Sequence, residues 1–162
     1  MTDKRAFRQA LGTYPTGVAV VTALPADRKP MGITVNSFTS VSLEPPLVLW
    51  FMDRRSKRFA AFSAAEGYVI NILGTEHEEV SARLAQPGSH SLEGIGLCQT
   101  ELGPPALADA LAVFECAAHA CHDGGDHAIL VGRVLRFHRH GPGAPLVFYR
   151  GAYGALSKAA GP

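Results

Sequence analysis

The 162-residue chain holds no apolar run of membrane-spanning length, and only 18% of its residues are charged. The first lack excludes a transmembrane helix, and the start MTDKRAFRQALG has no apolar core of signal-peptide length. A formal net charge of +1 supplies no global field to draw in nucleic acid or a membrane surface. Cysteine is sparse: Cys98, Cys116 and Cys121 are an odd number, and no two form a C-x-x-C pair. Reduced thiols in a cytoplasmic protein are the expectation. There is no G-x-S-x-G, no cysteine sits in a turn with an evident base, and carboxylates such as Asp109 and Glu115 are scattered. Hydrolysis by a serine or cysteine nucleophile therefore has no footing.

What remains is a hydrophobic fraction of 47%, without repeats, linkers or low-complexity segments. This predicts one domain spanning 1–162, with apolar surface to spare for a subunit interface. Phe7, Ala10 and Leu11 lie at helical spacing and Gly12 can end that helix. The runs GVAVVTAL, MGITVN, LVLWFM, GYVINIL and PLVFY read as strands, and ALAVFECAAHA and HAILVGRVLRFH as two long ones joined by CHDGGD. Arg54 to Phe62 reads as a short helix or turn, and Thr75 with Glu78 as a capping box opening a helix through Leu84. Residues 86–106 read as irregular loop with room for one short strand, and the tail from Gly151 as loose at its end. Several runs are too continuous for a sheet with one wet face, so a mainly β, closed or nearly closed antiparallel barrel is expected.

Three segments could carry chemistry. In Met31 to Trp50, Ser37, Thr39, Ser40 and Ser42 place hydroxyls between two hydrophobic runs. They suit either an ordinary turn that satisfies its own backbone or a flat ligand rich in heteroatoms. The run Arg54-Arg55-Ser56-Lys57-Arg58 holds four of the fifteen basic residues directly after a buried strand. It is too short and lacks the aromatic platform for nucleic acid, which leaves a solvated basic turn or a phosphate site. Gly124-Gly125-Asp126-His127 reads as a plain hairpin turn, or as one in which Asp126 caps the turn and His127 faces a second ligand. A metal site among Cys116, His119, Cys121, His122 and His127 is disfavoured, because alternation on a strand sends Cys116 and His119 to opposite faces.

Four blocks together resemble the flavin reductase family, the reductase components of two-component flavin-dependent monooxygenases. They are FRQALGTYPTGVAVVTA, GITVNSFTSVSLEPPLVLW, YVINIL with its following helix, and Gly125-Asp126-His127. The resemblance implies an FMN-binding split β-barrel of Greek-key, antiparallel type with a few short helices, assembled as a homodimer. It implies flavin contacts from Thr34, Val35, Asn36, Ser37, Phe38, Thr39, Ser40 and Val41. Asp53, Ser56, Lys57 and Phe59 would take the phosphate end. Gly125, Asp126 and His127 would seat NADH or NADPH, with His127 the one possible catalytic side chain and no metal. FMN, with FAD also possible, would be reduced and passed to a separate monooxygenase. Two positions depart from the family pattern: Phe59 stands where a small polar residue is common, and Leu92 where Phe is common. Competing readings are a flavin-binding storage or relay module on the same barrel, and an oxidase of a small phosphorylated substrate.

Overall fold

The computed structural model describes residues 3–156. In chain order the elements are α1 (Lys4–Leu11), β1 (Thr16–Gly17), β2 (Ala19–Ala23), β3 (Met31–Val35), β4 (Thr39–Leu43), β5 (Pro46–Asp53), α2 (Phe59–Ser63) and β6 (Gly67–Ile72). A 3-10 turn (Thr75–His77) leads into α3 (Glu78–Ala85), followed by β7 (Leu97–Cys98), β8 (Ala106–Leu107), β9 (Ala112–Gly124), β10 (His127–Arg139), β11 (Leu146–Tyr149) and β12 (Ala152–Ala155). The fold is mainly β, as the continuous apolar runs led one to expect.

Seven strands form one antiparallel sheet in the order β3-β2-β6-β9-β10-β5-β4. Its two edges, β3 and β4, are consecutive in sequence, so Asn36–Phe38 must pass from one edge to the other. Ser37 Oγ accepts the Phe51 backbone N–H at 2.9 Å and so ties that crossing to β5. Residues from β2, β3, β5, β6, β9, β10 and α2 share one interior, among them Val21, Val35, Trp50, Met52, Tyr68, Ile70, Cys116 and Leu130. The sheet is thus a barrel that stays split between β3 and β4.

Period-two alternation explains why β2 and β6 have no wet face. Ala19, Val21 and Ala23 point into the barrel, whereas Val20 packs in a second cluster with Val69, Leu73, Leu84, Leu92 and Leu107. Buried Asn71 joins the layers: its side-chain N–H donates to Val20 O at 3.0 Å, and its oxygen accepts Leu107 N–H at 2.8 Å. Inside the barrel, Trp50 meets Phe62 and Tyr68 edge to face at 5.5 and 5.6 Å. Gly132 allows the two walls to approach, since a Cβ there would lie 2.6 Å from Tyr68 Oη and 2.9 Å from Cys116 Cβ. Burial, then the charge of Glu115, pushes the Cys116 thiol up to about 12. It is a packed apolar group, while His119, Cys121 and His122 are exposed on the far end of β9.

The structure revises two local expectations. Thr75 is not a helix N-cap: it opens the 3-10 turn, and His77 Nδ1 accepts the Gly74 N–H at 3.2 Å before α3 starts at Glu78. A hydroxyl at Thr75 was the visible signal, but a histidine ring two residues on does the capping. The β9–β10 connection is shorter than CHDGGD, because pairing continues to Gly124↔His127 and leaves only Gly125 (φ 77°) and Asp126 in the turn. The segment 86–106 is mostly loop, as expected, and its short strand is β7, which pairs with β8, while Ser91 bridges Met31. In the tail, Ala152–Ala155 pairs with β11, and the expected looseness concerns residues that lie outside the described ones.

Candidate functional site

At the open side of the barrel, β3, the 36–38 crossing, the end of β5 and the β9–β10 turn surround a cleft of about 490 Å³. Ile33, Val35, Phe51, Met52 and Ile129 make its apolar walls; Thr34, Asn36, Ser37, Asp53, Ser56 and His127 bring polar groups. One register places the key pair: β10 meets β5 with His127 opposite Asp53. A neighbouring lobe of about 630 Å³ shares Ile33, Thr34, Asp53 and Ser56 and extends to Arg55, Lys57, Arg58, Ala85, Pro87 and Gly88. The two spaces form one elongated surface, apolar-walled at one end and cationic at the other.

The cations of the 54–58 run have separate tasks. Arg54 holds the turn: its backbone N–H donates to Asp126 O at 3.0 Å, its Nε to His127 O at 3.3 Å, and its Nη2 pairs with Asp123 at 2.8 Å. Arg54 also lies over the Phe59 ring, 5.6 Å from the centroid. Arg55 grips Asp53 through its backbone N–H at 2.8 Å and through Nε and Nη2 at 3.1 and 2.8 Å. Those donors hold the Asp53 carboxyl down at about 2, so it is ionised across the neutral range. Arg58 is buried beneath the lobe, and Lys57 is exposed at its rim. Asp126 accepts from or faces the His127 ring at 2.7 Å, and this contact lowers the Asp126 pKa.

The expected site residues fall into three groups. Thr34, Val35, Asn36, Ser37, Asp53, Ser56 and His127 line the cleft, and Lys57 lines the lobe. Gly125 and Asp126 form the turn behind His127. Phe38 instead packs toward the interior against Phe114, 5.7 Å between ring centres, and Phe59 packs on the barrel core. Thr39, Ser40 and Val41 continue into exposed β4 and do not line the cleft. The hydroxyls also work differently from their first impression. Thr34 Oγ1 donates to Ser81 O on α3 at 2.8 Å, and Ser37 Oγ serves Phe51. Asn36 makes no side-chain hydrogen bond among the described residues and keeps its amide available. Sequence reasoning missed Ile33, Phe51, Met52 and Ile129, which the alternation of β3, β5 and β10 could have indicated only once their pairing was known. It also missed Ala85, Pro87 and Gly88, which tertiary packing alone brings here.

Comparison with known proteins identifies the family and agrees with the fold. The flavin reductase like domain matches residues 11–157. The FMN reductase (NADH) SmoA of Agrobacterium fabrum is 45% identical over 156 residues, covering 96% of this chain and 88% of that protein. The reductase subunit HsaB of a flavin-dependent monooxygenase from Rhodococcus jostii is 37% identical over 93% of this chain and 77% of its own. Among solved structures, an NADH:FAD oxidoreductase of Streptomyces globisporus in complex with NAD and FAD fragments superposes with a TM-score of 0.92, at 31% identity over 99% of both chains. With the split barrel, the cleft at its open side and the 11–157 match in hand, the chain belongs to the flavin reductase-like family.

Proposed function

We propose that this chain, as one domain over 1–162, is an NAD(P)H-dependent flavin reductase that reduces FMN, or FAD, and hands it to a separate monooxygenase. The observation that carries this is the continuity of the apolar cleft with the cationic lobe, meeting at Ile33, Thr34, Asp53 and Ser56. A flavin nucleotide has the matching order of parts: a flat ring with a polar edge, a polyol chain and a phosphate. Hydride passes from nicotinamide to flavin, chemistry that both nucleotides bring with them. The chain's task is to hold, orient and dry the rings.

Ile33, Val35, Phe51 and Ile129 give the ring apolar walls, and Asn36 with the crossing's backbone N–H groups gives donors for its polar edge. Ser56 and Lys57 face the phosphate end. His127, fixed by Asp126 and by the Arg54 contacts to the turn, sits beside Asp53 where a second nucleotide would enter. A flavin store needs no such second seat, which favours turnover. We extend the proposal to a homodimer, because Val41, Leu43, Leu135 and Phe137 are exposed on strands that are close neighbours in the sheet. A cytoplasmic setting is supported by three free cysteines. No helix among the described residues is long and apolar enough to cross a membrane.

The test pairs NADH or NADPH with FMN, FAD or riboflavin and follows absorbance at the nicotinamide band. Oxidation dependent on added flavin is expected; none with any pairing would overturn the reductase in favour of a binding module.

A further inference from the structure

Among the four cations of the 54–58 run, Arg58 alone is buried, at 5% exposure. Its Nη1 donates to Gly32 O at 3.2 Å and Leu84 O at 3.1 Å, and its Nη2 to Gln86 O at 2.7 Å. These carbonyls belong to β3, to the last turn of α3 and to the residue just beyond it. One guanidinium therefore joins the split edge of the barrel to the exit of α3. In doing so it fixes the segment in which Ala85, Pro87 and Gly88 wall the lobe.

We propose that Arg58 is the positioning residue of this lobe, and that it sets the preference for a phosphorylated flavin over the same flavin lacking phosphate. The proposal rests on the flavin reading above and names a residue and a selectivity beyond it. Two physical points carry it. First, the charge of Arg58 is not neutralised. Arg54 is paired with Asp123 and Arg55 with Asp53, but no carboxylate lies within ion-pair distance of Arg58 among the described residues. Carbonyls satisfy three of its five N–H donors and leave the net charge in place. A charge beneath the wall acts through protein rather than water, so it is screened less than that of exposed Lys57. Second, Leu84 O and Gln86 O belong to the carbonyl end of α3, the negative pole of the helix. Without Arg58, Leu84 O would lose its side-chain donor and Gln86 O would keep only the Ser89 N–H at 3.2 Å, so the negative end of the helix beside the lobe would stand uncompensated and disfavour an anion there. Burial lowers the Arg58 pKa from its ordinary value, yet a guanidinium stays charged at neutral pH.

The step is one of binding, so it is read with oxidised FMN and riboflavin in a fluorescence titration of the intact chain. Arg58→Met is expected to weaken FMN binding about tenfold or more while riboflavin stays within about twofold. Arg58→Lys, which keeps charge but loses the planar fork, falls between. Equal weakening of both ligands would assign Arg58 a purely structural role and overturn the proposal, as would an unchanged preference. Wild-type protein gives a second reading that needs no variant. FMN should slow amide hydrogen exchange across residues 84–88 more than saturating riboflavin does, and equal protection overturns the proposal. Hydride transfer is measured apart from this. Absent NADH oxidation with the FMN preference intact would sink the reductase and leave the role of Arg58 standing, whereas a chain that binds neither flavin refutes both.

Discussion

Single side chains in this barrel are informative where their partners are already engaged. Gly132 is such a position, because Tyr68 Oη and Cys116 Cβ occupy the space a Cβ would need. Gly132→Ala is expected to destabilise the fold by about 1–3 kcal/mol, read from urea midpoints, since both neighbours are buried and cannot step aside. Asp53 carries a pH signature. Its folded pKa is depressed from 3.8 to about 2, first by the Arg55 side-chain hydrogen bonds and then by the Arg55 backbone N–H. A depressed carboxylate contributes stability above its unfolded pKa, and that contribution is lost as pH falls through the folded value. Wild-type protein should therefore lose more stability between pH 3.8 and about 2 than Asp53→Asn does, and parallel acid-unfolding curves would refute the pairing. The hydroxyls of the crossing show what residue types alone conceal. Their presence was legible in the sequence, but Thr34 donates to Ser81, 47 positions away, and Ser37 serves Phe51. Only the folded pairing reveals that they build the cleft's frame, and that Asn36 keeps its amide free to face a ligand.

At the level of elements, the strands were legible because β-branched runs with apolar residues on both faces have few homes other than a closed sheet. The start of α3 was not. Thr75 and Glu78 match a capping spacing, yet a 3-10 turn intervenes and His77 supplies the acceptor. Local spacing cannot weigh a ring nitrogen that only the tight turn brings within reach. The β9–β10 turn was found at once from its glycines, but its attachment was not. Arg54, 69 positions from Asp123, anchors that turn to the end of β5 by one ion pair and two carbonyl contacts. Arg54→Ala should loosen the turn while leaving Phe51, Asn36 and Ile33 in place. The expected outcome is a KM for the reduced nicotinamide raised about fivefold or more, with flavin affinity changed less than about twofold. Stopped-flow titration of each nucleotide separates the two, and a flavin affinity that falls as far as the nicotinamide KM rises would refute a local role for this clamp.

For the whole molecule, strands at and near the split carry large apolar side chains that this chain leaves uncovered. Leu43 is 94% exposed and Phe137 75% exposed, on β4 and β10, with only β5 between those strands in the sheet. Phe137 stacks on Phe114, which in turn meets Phe38 packed against the barrel core, so an aromatic row runs from the interior out to an uncovered ring. Apolar surface of this kind, on two strands with one strand between them, is what a second copy would bury. The α1 helix also leaves apolar side chains uncovered, with no buried residue and with Phe7 and Leu11 exposed. Replacing Leu43 and Phe137 together by Asp puts two charges where an apolar contact is expected and touches nothing that lines the cleft. Light scattering should then give the mass of one chain, where the unaltered protein is expected to give twice that. If the cleft is completed by the partner, flavin affinity should drop with the loss of assembly and recover in part at high protein concentration. A variant that stays dimeric, or a wild-type chain that is monomeric at the same concentration, would show that this face has another occupant.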